Sequence, residues 1–141
     1  MSYVADGAVK TDSALSLADR LVQLYKSLNS IIEQFNPTEA AVEEIFVNKN
    51  PASTLKLGQA RAISLFVPAY AGLNVSEYSP NLIKKTVVGT GHADKGQVQM
   101  MVQTLLPGAN VKSSHAADAL AVAICHAHHC DNLQAQKLAG E

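Results

Sequence analysis

Two short apolar runs, residues 40–46 and 74–78, bracket a helical-period segment over 53–71, and this order restricts the fold more than any other feature of the chain. A short apolar run bounded by turn residues reads as a buried strand. Between the two runs, Leu55, Leu57, Ala60, Ile63, Leu65, Phe66, Val67 and Tyr70 go almost all the way round a helix. Strand, helix, strand lays two parallel strands side by side, joined by a crossover. The predicted class is therefore α/β, a sheet flanked by helices. A helix apolar on every side is buried on more than one side. In a domain this small, the extra face suits a subunit interface. Pro68 is expected to kink or end that helix, because it removes a backbone hydrogen bond.

The flanking segments fill in the order. Residues 2–10 alternate weakly and read as a strand with a turn at Asp6-Gly7. Leu17, Leu21, Leu24, Leu28, Ile31 and Phe35 predict a helix over 13–35, ended by Asn36-Pro37. A loop is expected at Asn48-Lys49-Asn50-Pro51. Ser79-Pro80 reads as a cap followed by proline at the first helical position, opening a short helix to Val88. Gly89-Thr90-Gly91 is a linker. Asp94 caps a helix over 95–106, stopped by Pro107-Gly108, and a last helix covers 115–129. The length, 141 residues, suits one domain, read as 1–130 followed by a polar tail over 131–141. With 48% hydrophobic and 16% charged residues, the chain can bury a core and is not a disordered segment. No apolar run approaches the ~18 residues of a membrane span, and no signal peptide is evident. Cys125 and Cys130 make no disulfide framework, so a reducing cytoplasm is the default setting.

Net charge is −1, which by itself argues against nucleic acid as a partner. Its distribution argues the other way. Residues 1–48 carry three basic and seven acidic side chains. Residues 49–95 carry six basic ones (Lys49, Lys56, Arg61, Lys84, Lys85, Lys95) against Glu77 and Asp94. A basic middle suits a surface that holds phosphate. An ordinary solvated face is the competing reading of those six charges.

Metal-type side chains appear at two places. His115 and Asp118 stand three apart at the start of an apolar helix, so they share a face. Alanines surround them and allow close approach of other backbone. Glu43 interrupts the strand-type run Ala40-Ala41-Val42-Glu43-Glu44-Ile45-Phe46. A carboxylate in a buried-type segment is costly unless paired or bound to metal. Spacing alone leaves Glu43 and Glu44 as alternatives for the inward position. Asp118 could instead serve the helix N-terminal dipole, and His115 could be an ordinary first-turn residue. Arg61, in a nearly all-apolar helix, needs a phosphate or an acid from a partner subunit. Near the end, Cys125/His129 and His126/Cys130 are each four apart, but the two pairs face about 100° away from each other, which disfavours one shared zinc.

Three stretches resemble the RuvC family of Holliday-junction resolvases. They are Asn48-Lys49-Asn50-Pro51-Ala52-Ser53-Thr54-Leu55-Lys56-Leu57-Gly58-Gln59-Ala60-Arg61, Lys84-Lys85-Thr86-Val87-Val88-Gly89-Thr90-Gly91 with Lys95, and Ala116-Ala117-Asp118-Ala119-Leu120-Ala121. The resemblance runs from about Ser2 to about His129 with order and spacing kept. It implies an RNase H-like fold, a mixed sheet flanked by helices. It also implies a homodimer that cuts two strands of a four-way DNA junction with Mg²⁺, two ions per site, Mn²⁺ being able to substitute. RuvA and RuvB, the branch-migration proteins, are implied as partners. Glu43, His115 and Asp118 match three of the family's four metal-binding positions. Phe46 matches the aromatic that enters the junction centre, and Lys84 and Lys95 match basic residues near the scissile phosphate. Lys49 and Arg61 join them as candidate DNA contacts. The family's opening segment, Gly-Ile-Asp-Pro-Gly, carries the first metal-binding Asp and has no counterpart here. The resemblance thus implies that the first two family strands are missing. It implies too that strand 40–46 loses a neighbour and that catalysis by the chain alone is impaired; either the gene product is longer than this chain or the chain is a truncated relic.

Overall fold

The structure, a computed structural model, describes residues 1–45, 50–109, 111 and 113–139, the last nine of these by their helical backbone. Two compact units emerge: Val9–Glu77, and Met1–Ala8 together with Tyr78–Glu141. Each is described by itself.

The first unit contains α1 (Leu17–Phe35), β1 (Glu39–Glu43), α2 (Pro51–Tyr70) and β2 (Asn74–Tyr78). Ser16 caps α1, its side chain accepting from the Asp19 amide, so the helix starts four residues later than its periodicity suggests. Residues 12–15 are taken up by a turn in which the Leu15 amide donates to the Asp12 carbonyl. Asn36 closes α1 in the left-handed conformation, φ 45°. α1 packs along α2, with Leu21, Leu24, Leu28 and Ile32 half-buried while Ile31 and Phe35 stay exposed.

β1 and β2 pair as a two-stranded parallel sheet joined through α2, as the strand-helix-strand order predicts. β1 ends at Glu43, short of the predicted 46, and Phe46 lies outside the described residues. Its three inner residues, Ala40, Ala41 and Val42, are half-buried rather than buried.

Asn50 caps α2, accepting from the Ala52 and Ser53 amides, and Pro51 follows at the first helical position, where its missing N–H costs nothing. Pro68 neither ends the helix nor is followed at once by its end; α2 continues to Tyr70. So close to the C-terminus, proline removes a single bond. The end is then rebuilt around Gly72 (φ 87°), with the Leu73 amide donating to the Pro68 carbonyl. The expectation of burial all round α2 fails. Val67 and Pro68 are buried, whereas Leu55, Phe66 and Tyr70 are exposed, and the last two rings stack at 5.5 Å.

The second unit is a helical layer of α3 (Pro80–Val88), α4 (Lys95–Leu105) and α5 (Ser114–Ala139), all three packed on one another. Its core is Ile83 and Val87 from α3, Val98 and Val102 from α4, Leu106 beyond it, and Leu120 and Ile124 from α5. Ala116, Ala117 and Ala121 are also buried, so at these positions α5 can approach its neighbours closely. Ser79 caps α3 and Gly89 closes it at φ 90°. α5 runs ten residues past the predicted end. No proline or glycine interrupts residues 115–139, and Leu133, Ala135, Lys137, Leu138 and Ala139 are good helix formers. The predicted strand over 2–10 is not formed; that segment is irregular, with the Tyr3 hydroxyl donating to Asp6 at 2.6 Å. Weak alternation without a partner strand supplies no ladder to satisfy its backbone.

α4 opens with a capping box: Asp94 accepts from the Gln97 amide and the Gln97 side chain accepts from the Asp94 amide, both at 2.9 Å. Asp94→Ala is expected to lower the unfolding free energy by about 1 kcal/mol, read by urea denaturation.

Candidate functional site

His115 and Asp118 occupy the first turns of α5, as predicted. Ser113 starts the helix, its hydroxyl accepting from the Ala116 amide at 3.1 Å. That places His115 exposed and Asp118 half-buried on one face, while Ala116 and Ala117 turn into the core. The two side chains are therefore held by buried alanines beneath them and open to solvent above. An imidazole nitrogen and a carboxylate one turn apart form a donor pair that suits a divalent cation.

Lys84 and Lys95 belong to the same unit. Lys84 is half-buried on α3 and Lys95 is the exposed first residue of α4. Both helices pack on α5. Lys49 and Phe46 lie outside the described residues.

Glu43 belongs to the first unit, at the last position of β1, with Glu44 directly after it. Both carboxylates border an open cleft of about 410 Å³ that Leu57 and Arg61 of α2 also line. Arg61 is the centre of this end of the unit. Its Nη2 makes an ion pair with Glu77 of β2 and its Nε donates to the main-chain oxygen of Glu43 at 3.2 Å. The expected acid from a partner subunit is thus supplied within the chain. Sequence reasoning missed Glu77 because, on β2, it reads only as the polar position of a short strand.

A second cluster surrounds the Cys/His segment of α5. The Tyr78 hydroxyl and His126 Nδ1 are 2.8 Å apart, and the Tyr78 ring lies near His126 and His129. Cys125 is fully buried, and its thiol donates to the Thr86 hydroxyl at 3.6 Å, whose own proton goes to the Leu82 carbonyl. Burial pushes the Cys125 thiol above its ordinary value. Cys125 and His129 are engaged on one side of the helix and His126 and Cys130 on another, as their spacing requires.

Comparison with known proteins settles the lineage. Residues 1–126 match the family described as crossover junction endodeoxyribonuclease RuvC. The RuvC of Paramagnetospirillum magneticum is 60% identical over 129 residues, 92% of this chain and 78% of that protein. The chain belongs to the RuvC family. The Rhodospirillum rubrum RuvC is 59% identical over the same length. Among solved structures, Thermus thermophilus RuvC in complex with a Holliday junction substrate superposes with a TM-score of 0.80 at 32% identity, covering 86% of this chain and 74% of that one. The free Thermus thermophilus RuvC gives 0.76 at 33% identity. The RNase H-like α/β class expected from the resemblance is therefore the class of this chain. Among the described residues, no helix is long and apolar enough to cross a membrane.

Proposed function

We infer that this RuvC is a metal-dependent endonuclease that resolves four-way DNA junctions by paired, symmetric nicks in recombination and repair. The observation that carries the reading is the unbroken family match over residues 1–126, with His115 and Asp118 presented on an open face of α5. Glu43, His115 and Asp118 are the residues that would hold the metal, Mg²⁺ in the first instance. When bound, the cation supplies Lewis acidity and a hydroxide-like water at neutral pH. The chain's own groups do the rest. Two carboxylates and one imidazole fix the donor set, while Lys84 and Lys95 hold the phosphate and offset its charge. Hydrolysis adds the water oxygen to phosphorus as one P–O ester bond breaks. Arg61, though paired with Glu77, keeps further N–H donors and stays with Lys49 among the proposed DNA contacts.

A homodimer with two-fold symmetry suits a junction that needs two matched cuts. The exposed α2 residues Leu55, Phe66 and Tyr70 support such an interface. RuvA and RuvB as partners, and a cytoplasmic location, follow from the family.

A second reading is a protein that binds the junction and nicks it poorly. Gel shift on synthetic four-way DNA against linear duplex, followed by nicking with Mg²⁺ or Mn²⁺, separates the two. Retarded junction with nicks supports the endonuclease, retarded junction without nicks supports the binder, and no junction preference overturns both. Because His115 puts a nitrogen into the donor set, Mn²⁺ is expected to support nicking at least as well as Mg²⁺. Faster cleavage with Mg²⁺ would remove His115 from that set.

A further inference from the structure

We propose that Arg61 and Glu77 are a positioning pair that selects Glu43, rather than Glu44, as the carboxylate presented to the metal. The proposal rests on Glu43 being a metal ligand, as inferred above. Glu43 ends β1 and Glu44 follows it directly, and successive side chains of an extended chain point to opposite faces. A slip of one residue would exchange them. β1 stops at Glu43, so the strand ladder does not extend to Glu44.

Arg61 holds the chain at that point. Its Nε donates to the Glu43 carbonyl at 3.2 Å, and its Nη2 pairs with Glu77. Both donors belong to one rigid, planar guanidinium. The group is half-buried, its side chain 22% exposed, and α2 carries it from the crossover between the two strands. One side chain therefore ties the end of β1 to β2. Holding the Glu43 carbonyl restrains the backbone that carries its Cα–Cβ bond, and so narrows the range of the carboxylate. Glu77 keeps the guanidinium turned toward β1. Glu44, but not Glu43, also lines a cleft of about 440 Å³ with Ile45, Thr54, Gly58, Arg61 and Glu77.

Mn²⁺ binding to the whole chain, followed by electron paramagnetic resonance, tests the pair without relying on cleavage. Glu43→Gln sets the reference loss. Arg61→Ala and Glu77→Gln are each expected to weaken Mn²⁺ binding about tenfold, and the double variant no further, since both cut one link. Glu77→Gln keeps the size of a half-exposed side chain, so it reads the effect even where Arg61→Ala disturbs folding. Arg61→Lys is expected to keep the thermal midpoint yet not restore Mn²⁺ binding, because an ammonium cannot serve both acceptors in a fixed fork. A purely structural ion pair would instead lose midpoint and leave Mn²⁺ affinity untouched. That result, or an Arg61 variant that loses junction affinity in metal-free buffer with Mn²⁺ binding intact, overturns the proposal while Glu43 stands. If Glu43→Gln itself binds Mn²⁺ like the parent, the metal-ligand reading fails, and the positioning role falls with it.

Discussion

Asp118→Asn is expected to lower junction nicking by about 10²-fold or more and to weaken Mn²⁺ binding, while junction affinity in metal-free buffer stays within about twofold. The substitution keeps the size, the helix and the hydrogen-bonding capacity of the side chain. It removes only the charge. A ligand carboxylate contributes that charge to a cation whose stabilisation of the transition state is worth several kcal/mol, and each ~1.4 kcal/mol is a factor of ten. The rival role for Asp118 is service to the N-terminal dipole of α5. That role is worth about 0.3–1 kcal/mol of stability and nothing in metal affinity. The two readings thus part company in one pair of measurements. A lowered midpoint with unchanged Mn²⁺ binding removes Asp118 from the site. Loss of Mn²⁺ binding with a nearly unchanged midpoint keeps it there. Phosphate contact by Lys84 and Lys95 is carried by other helices, which is why metal-free binding should survive.

The parts legible in the sequence are those governed by local rules. Ser79-Pro80 and Asp94 each announce a helix start through an interaction close in sequence, and each stands where it is expected. The His115–Asp118 face was legible for the same reason: a three-residue spacing settles it once the helix exists. Burial was harder. α2 reads as apolar all round, yet Leu55, Phe66 and Tyr70 are exposed, because composition reports what a helix could bury and not what stands against it. The strand over 2–10 failed for want of a partner to pair with. α5 extends ten residues beyond the expected end at 129, because polar residues after it lack the apolar periodicity that marks a helix yet nothing there breaks one. Arg61 was recognised as needing a counter-charge, but Glu77, sixteen residues away, is brought to it only by the strand-helix-strand crossover.

Ile83→Ala is expected to cost about 2–5 kcal/mol of unfolding free energy, the largest stability effect of any single truncation considered for the second unit. Ile83 is 4% exposed in the first half of α3, next to Val87 and facing the α4–α5 layer that holds Val98, Val102, Leu120 and Ile124. α5 contributes alanines at 116, 117 and 121 to this core. A wall of single methyl groups cannot swing inward to fill a void, so the cavity left by Ile83 should persist and its cost should sit above the loss from transfer alone. Met100, 61% exposed on α4, provides the contrast: Met100→Ala is expected within about 0.5 kcal/mol of the parent. Urea denaturation followed by helical circular dichroism reads both. A loss under about 1 kcal/mol at Ile83 would mean that α5 relaxes into the gap, and the close alanine contacts could not then be what holds His115 and Asp118 in register. A large loss at Ile83, with the Met100 variant unchanged, would instead tie the placement of the metal-binding face to a core built for close approach.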